Sequence, residues 1–203
     1  MSISTLAAAS ANEELATAIS GRYGDPLASW NGSIIAGGYC SWEGVRCQGR
    51  RRQVVALSLP ARGLTGVLSP AIGNLSSLRT LNLSNNGFCN DIPASLGSLR
   101  HFHTLDLSSN AFSGNIPANL TSCTNLTTVD LSSNQLSGSI PIELGDKLRR
   151  LKNLIMYKNN LTGVIPLEGT TTIPWGLGGV RSLRILDLAF NRLTGEPPAS
   201  LYI

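Results

Sequence analysis

The feature that most constrains this chain is a near-copy of "LDLSSNAFSGNIP" (residues 105–117) returning about every 24 residues. Aligned on L..L.L..N.L.G.IP..LG.L, successive units start at Val54, Leu78, Phe102, Leu126, Leu151 and Leu183. Their apolar-x-apolar pairs share two columns: Leu81 and Leu83, Leu105 and Leu107, Val129 and Leu131, Leu154 and Met156, Leu186 and Leu188. Alternation of period two makes a short strand with both side chains on one face. A lone unit cannot bury that face, so it must stack on copies of itself as parallel strands in a coil. A further column reads Arg62, Asn86, Asn110, Asn134, Asn159 and Asn191. An Asn at the bend after each strand offers donors and an acceptor to the backbone of its own and the adjacent coil, and stacked copies form a ladder.

The segments Phe112-Ser113-Gly114-Asn115-Ile116-Pro117 and Leu136-Ser137-Gly138-Ser139-Ile140-Pro141 carry an L.G.IP pattern. In this the chain resembles leucine-rich-repeat proteins of the plant-specific type. Ahead of the repeats, "LASWN" (27–31) and "CSWEGVRC" (40–47) are similar to the N-terminal cap of plant leucine-rich-repeat receptor kinase ectodomains. The stretch "GVLSPAIGNLSSLRTLNLS" (66–84) looks most like the subfamily that contains immune receptors for bacterial proteins. The resemblance implies an α/β solenoid, a right-handed superhelix with one short parallel strand per coil, mostly β and irregular with short helical turns. It also implies a disulfide between Cys40 and Cys47, hence an oxidising compartment, and a ligand-sensing role without cofactor or catalysis.

Residues 1–11 read as a tail or signal-peptide remnant, 12–53 as a disulfide-stapled cap, and 54–203 as six repeats. The repeats are 54–77, 78–101, 102–125, 126–150, 151–182 and an incomplete 183–203. In the fifth, Ile165-Pro166 and Ile173-Pro174 stand eight residues apart, and removing eight restores a length of 24. That insertion near 166–173 reads as a surface loop, which costs little to close. A solenoid's first coil needs a cover. The cap supplies a short amphipathic helix over 12–20, with Leu15, Ala18 and Ile19 on one side, and the apolar area of Trp30 and Trp42. Cys123 occupies the column of Leu75 and Leu99 and is expected buried; Cys89, between Phe88 and Asn90, is expected exposed and unpaired. Asn90 stands where the pattern has Gly, a mild change because Asn tolerates positive φ, and Arg62 interrupts the Asn column at its first member.

The formal net charge is +4, but the basic residues gather at 50–52 and 147–152 without interleaved aromatics, so nucleic acid is excluded as a partner. No run approaches the ~18 apolar residues of a membrane helix, so this chain itself does not insert into a membrane. Kinase signatures are absent from the sequence. The start lacks a basic region and is unconvincing as a signal peptide, and the end falls inside the sixth repeat; a truncated relative of a receptor ectodomain is the expectation. Sequons at Asn31, Asn74, Asn82, Asn119, Asn125 and Asn160 support glycosylation outside the cell, although the repeat itself writes "NLS" and "NLT".

Side chains of successive coils fall in register only on the strand face, so function is expected there. The first four units place small polar residues on it. The last two place Lys152, Ile155, Tyr157 and Lys158, then Arg184, Ile185, Asp187 and Phe190. Aromatic and Arg anchors dominate binding energies, so these residues, with Asp106 and Asp130, are the expected contact surface for a peptide or protein ligand. By resemblance, a co-receptor kinase is a further partner. Asp106 and Asp130 are strand neighbours, yet an open wet sheet offers no cleft for acid–base chemistry, and His101 and His103 lack the further ligands of a metal site. Two alternatives stand beside receptor-type recognition: a stand-alone secreted inhibitor of a cell-wall-degrading glycosidase, and a truncated product without independent activity.

Overall fold

The computed structural model describes residues 38–165 and 182–195. The expected helix over 12–20, Trp30, Asn31, the insertion at 166–173 and the chain end lie outside the described residues. Twelve strands form within the described residues: β1 (Val45–Gln48), β2 (Gln53–Ser58), β3 (Thr65–Val67), β4 (Thr80–Asn82), β5 (Gly87–Asp91), β6 (Thr104–Asp106), β7 (Ala111–Ser113), β8 (Thr128–Asp130), β9 (Asn153–Ile155), β10 (Thr162–Val164), β11 (Ile185–Asp187) and β12 (Arg192–Thr194). The main sheet runs β1-β2-β4-β6-β8-β9-β11, antiparallel at the β1-β2 hairpin and parallel thereafter. Its register aligns Leu57, Leu81, Leu105, Val129, Leu154 and Leu186, the column read from the repeat.

Beyond that sheet, every described coil except the fourth adds a second short strand. These make β3-β5-β7 and the pair β10-β12, with an isolated bridge from Asn115 to Ser137 between them in sequence. The repeat reads as one strand per coil because the second strand spans only three to five residues around a turn, too few to show a period. Its backbone groups are satisfied by the neighbouring coil, as in Gln135 N–H to Phe112 C=O (2.8 Å) and Ser137 N–H to Gly114 C=O (2.8 Å). The turn needs positive φ at one column, occupied by Gly66, Asn90, Gly114, Gly138, Gly163 and Gly195; Asn90 takes it at 64°. Short 3₁₀ turns at Pro70–Asn74, Ala94–Ser98 and Ala118–Ser122, and helix α1 (Glu143–Lys147), close the coils on the other side.

One apolar interior runs from Val54 to Leu161 without a break between coils. Phe88 and Phe112, both fully buried, stack with ring centroids 6.1 Å apart. The Asn ladder stitches this interior. Each Oδ1 accepts a backbone N–H of the preceding coil at 3.0 Å: Leu64 to Asn86, Phe88 to Asn110, Phe112 to Asn134, Leu136 to Asn159, Leu161 to Asn191. Each Nδ2 donates to a carbonyl of the preceding coil and to two of its own; Asn134 reaches Leu107, Leu131 and Ser132. Arg62 ends the ladder by other means, pairing its guanidinium with Glu43 of the cap while its N–H donates to Asn86 Oδ1.

Cys40 and Cys47 are joined as a disulfide, and Trp42 between them packs half-buried against the first coil. The bridge closes a loop of seven residues' separation. Chain-entropy loss for so short a loop stabilises by about 2.5 kcal/mol. Cys47→Ser is therefore expected to lower stability by about 2 kcal/mol and to expose the 38–58 region to protease first. Denaturant titration with cleavage mapping checks both; an unchanged midpoint would mean the hairpin holds the cap unaided. Cys123 is fully buried, and burial pushes its thiol up to about 11, so it stays protonated and inert. Cys89 is half-buried rather than exposed, because it belongs to β5, where its Sγ faces the Gly66 carbonyl at 3.4 Å.

Candidate ligand-binding face

Outside the buried column, the strands β4, β6, β8, β9 and β11 present one row of side chains per position. At the last strand position the register is Asn82, Asp106, Asp130, Ile155 and Asp187. The polar members of this row cap the turn that follows. Asn82, Asp106 and Asp130 each accept, through Oδ1, the N–H (3.0, 3.1 and 3.0 Å) and hydroxyl (2.8, 2.7 and 2.6 Å) of the Ser two residues on. Asp187 accepts the Ala189 N–H at 3.1 Å. One oxygen is thus committed to the backbone, leaving the other carboxylate oxygen for a donor above the sheet. Positioned and wet, they suit hydrogen-bonding a ligand.

One position beyond the Ser row, the chain turns left-handed in every described coil. Ala61, Asn85, Ser109, Ser133, Lys158 and Phe190 hold φ between 52° and 56°. Small and polar residues tolerate this; a Phe there is strained. Phe190 is nonetheless 74% exposed, edge-on to Tyr157 with centroids 5.1 Å apart. Sequence reasoning placed Phe190 on the face but carried no sign of this backbone state, which the neighbouring coil imposes through Lys158 N–H to Ala189 C=O (2.9 Å) and Asn159 N–H to Phe190 C=O (3.2 Å).

The expected contact residues come together on β9, β11 and the turns after them. Lys152, Lys158, Arg184, Ile185 and Phe190 are exposed; Ile155, Tyr157 and Asp187 are half-buried. Asp106 and Asp130 lie on the adjoining strands β6 and β8, also half-buried. Ile155 interrupts the acidic row opposite Asp187, and Ile185 lies two residues back on β11, paired with Asn153. His103 faces its own chain instead of a ligand set, with Nδ1 2.6 Å from the His101 carbonyl. Of the sequon residues, Asn74, Asn119 and Asn160 are exposed. Asn125 is engaged at both ends, Nδ2 to Arg100 C=O (2.9 Å) and Oδ1 from Arg150 (2.8 Å). Among the described residues no helix is long and apolar enough to cross a membrane.

Comparison with known proteins fits this geometry. The Leucine Rich Repeat family matches residues 77–99, 101–123, 125–146 and 182–202. A chain of the BIR3–SERK2 complex from Arabidopsis thaliana superimposes with a TM-score of 0.75 at 31% identity, covering 92% of this chain and 95% of that one. The chain belongs to the plant leucine-rich-repeat receptor ectodomains. Within that family, the curated "LRR receptor-like serine/threonine-protein kinase EFR" of Arabidopsis thaliana is 55% identical over 62 residues, 30% of this chain and 6% of that protein. The leucine-rich-repeat chain therefore spans a small fraction of the curated relatives it matches. The Arabidopsis receptor kinase HAESA ectodomain, solved with an N-terminally extended IDA peptide hormone, matches with a TM-score of 0.78 at 30% identity, over 98% of this chain and 31% of that one. The similar solved structures thus include one with a peptide hormone and one of BIR3 with SERK2.

Proposed function

We propose that this chain is a non-catalytic extracellular recognition module, part of a receptor-kinase-type signalling or defence system, that takes a peptide or protein ligand on the concave face of its last two described coils. The supporting observation is the Tyr157–Phe190 pair: two rings in edge-on contact, Phe190 exposed, at columns where the first four coils carry only small side chains. Lys152, Lys158, Arg184 and Asp187 surround it as a polar rim, and Ile155 and Ile185 extend its apolar centre. We place the recognition solenoid at 54–203, stapled by the cap at 12–53, with glycans on Asn74, Asn119 and Asn160 clear of the concave face.

The test uses peptides selected from a random display library on the intact chain. Their affinities for Tyr157→Ala and Phe190→Ala are expected to fall by about tenfold or more each, as for truncated aromatic anchors worth at least about 1.4 kcal/mol. Unchanged affinity in both variants would remove this patch as the binding centre.

A further inference from the structure

Along the edge where the chain enters the main sheet lies a row that shares only Lys152 and Arg184 with the turn-side patch. The residues ahead of successive strands are Arg79, His103, Thr127, Lys152 and Arg184. Each is tied to the next through the backbone: His103 N–H to Arg79 C=O (2.8 Å), Thr127 N–H to His103 C=O (2.8 Å), Lys152 N–H to Thr127 C=O (2.8 Å), Arg184 N–H to Lys152 C=O (2.7 Å). They therefore stand one strand spacing apart, ~4.8 Å. Arg79, Lys152 and Arg184 are exposed, and none has a carboxylate within ion-pair distance among the described residues. Arg100 and Arg150, also exposed, flank the row; Arg150 is held over Asn125. Lys152 and Arg184 are like charges ahead of adjoining strands, an arrangement that destabilises a sheet. A ligand that neutralised them would recover that cost.

Three residues further along the strands runs the acidic row Asp106, Asp130 and Asp187, ~10 Å away at the rise of a strand. The face is thus positive along one edge and negative along the middle. A polyanion charged on all sides, such as a polyuronate, would bring its own carboxylates within about a Debye length, ~8 Å, of the Asp row. An extended peptide avoids this, because alternate side chains point to opposite edges.

We propose that Arg79, Lys152 and Arg184 form a cationic rail that holds the acidic edge of an extended peptide lying across the strands. This rests on the concave-face reading above and adds the chemistry and orientation of its ligand. Carboxylate side chains fall toward the rail, while the opposite edge offers N–H or cationic donors to Asp106, Asp130 and Asp187. The rail extends the contact to β4, three strands away from the aromatic pair.

The experiment measures fluorescence anisotropy of the intact chain with three labelled probes: a peptide alternating Asp and Lys, a peptide alternating Lys and Ser, and an oligogalacturonate. Arg79→Glu is the informative variant, since it is exposed and remote from Tyr157 and Phe190. The Asp–Lys peptide is expected to bind at least about tenfold tighter than the other two, and Arg79→Glu to weaken it about tenfold, with unchanged melting temperature. Equal or tighter oligogalacturonate binding would overturn the proposal in favour of a general polyanion site. Arg79→Glu without effect, alongside loss in Phe190→Ala, would overturn the rail and leave the aromatic patch standing. The converse pattern keeps the rail and removes the patch.

Discussion

Phe112→Ala is expected to lower the stability of this solenoid by about 4 kcal/mol, within the ~3–5 kcal/mol range of buried Phe truncations. Phe112 is fully buried and stacks on Phe88 of the preceding coil, with planes 9° apart. Truncation removes that contact and opens a void between two coils whose backbones are already fixed by the strand pairing of β5 with β7. The site cannot collapse without breaking that pairing, so the cavity term is expected in full. For a chain of this size the melting midpoint should fall by roughly 8–16 °C. Thermal denaturation followed by circular dichroism measures it. A fall under about 3 °C would mean the coils can close over the gap and that the interior is not continuously packed.

Asn134→Ala is expected to cost about 3 kcal/mol although it deletes no apolar surface. The Asn134 amide accepts the N–H of Phe112 and donates to the carbonyls of Leu107, Leu131 and Ser132. The N–H it leaves belongs to a fully buried residue, where an unpaired donor costs ~1–3 kcal/mol on top of the bonds lost. Because the ladder joins one coil to the next, damage should split the solenoid at this junction instead of loosening it evenly. Limited proteolysis is expected to cut between the third and fourth coils in the variant, with the midpoint down by roughly 6–12 °C. The parent's cleavage pattern in the variant would show that water replaces the amide. The same substitution at position 62 has no counterpart, since Arg62 contributes its backbone N–H to Asn86 of the next coil and an ion pair to Glu43 of the cap.

The repeat made the main sheet legible residue by residue: the Leu57, Leu81, Leu105 column pairs as read, and the Asn column forms its ladder. Asn90 at a glycine position was also readable, because few residues accept positive φ and Asn is one of them. The second sheet was not readable. Its strands span three to five residues and exist because the adjacent coil supplies partners for their N–H groups. Cys89 was misplaced on the surface for the same reason.

The candidate face divides in the same way. That Tyr157 and Phe190 project from the strand face in adjacent columns followed from counting columns. Their edge-on contact did not, since they sit 33 residues apart and meet only when β9 pairs with β11. The Asp row was visible as chemistry, but its commitment of one oxygen to each turn required the turn's backbone. What the amino-acid order alone determined is periodicity: a column of identical character every 24 residues can bury itself only against its own copies. What the tertiary structure decided is adjacency between coils, because hydrogen-bond partners, ring contacts and the left-handed turn under Phe190 all depend on a neighbouring backbone that no local stretch encodes.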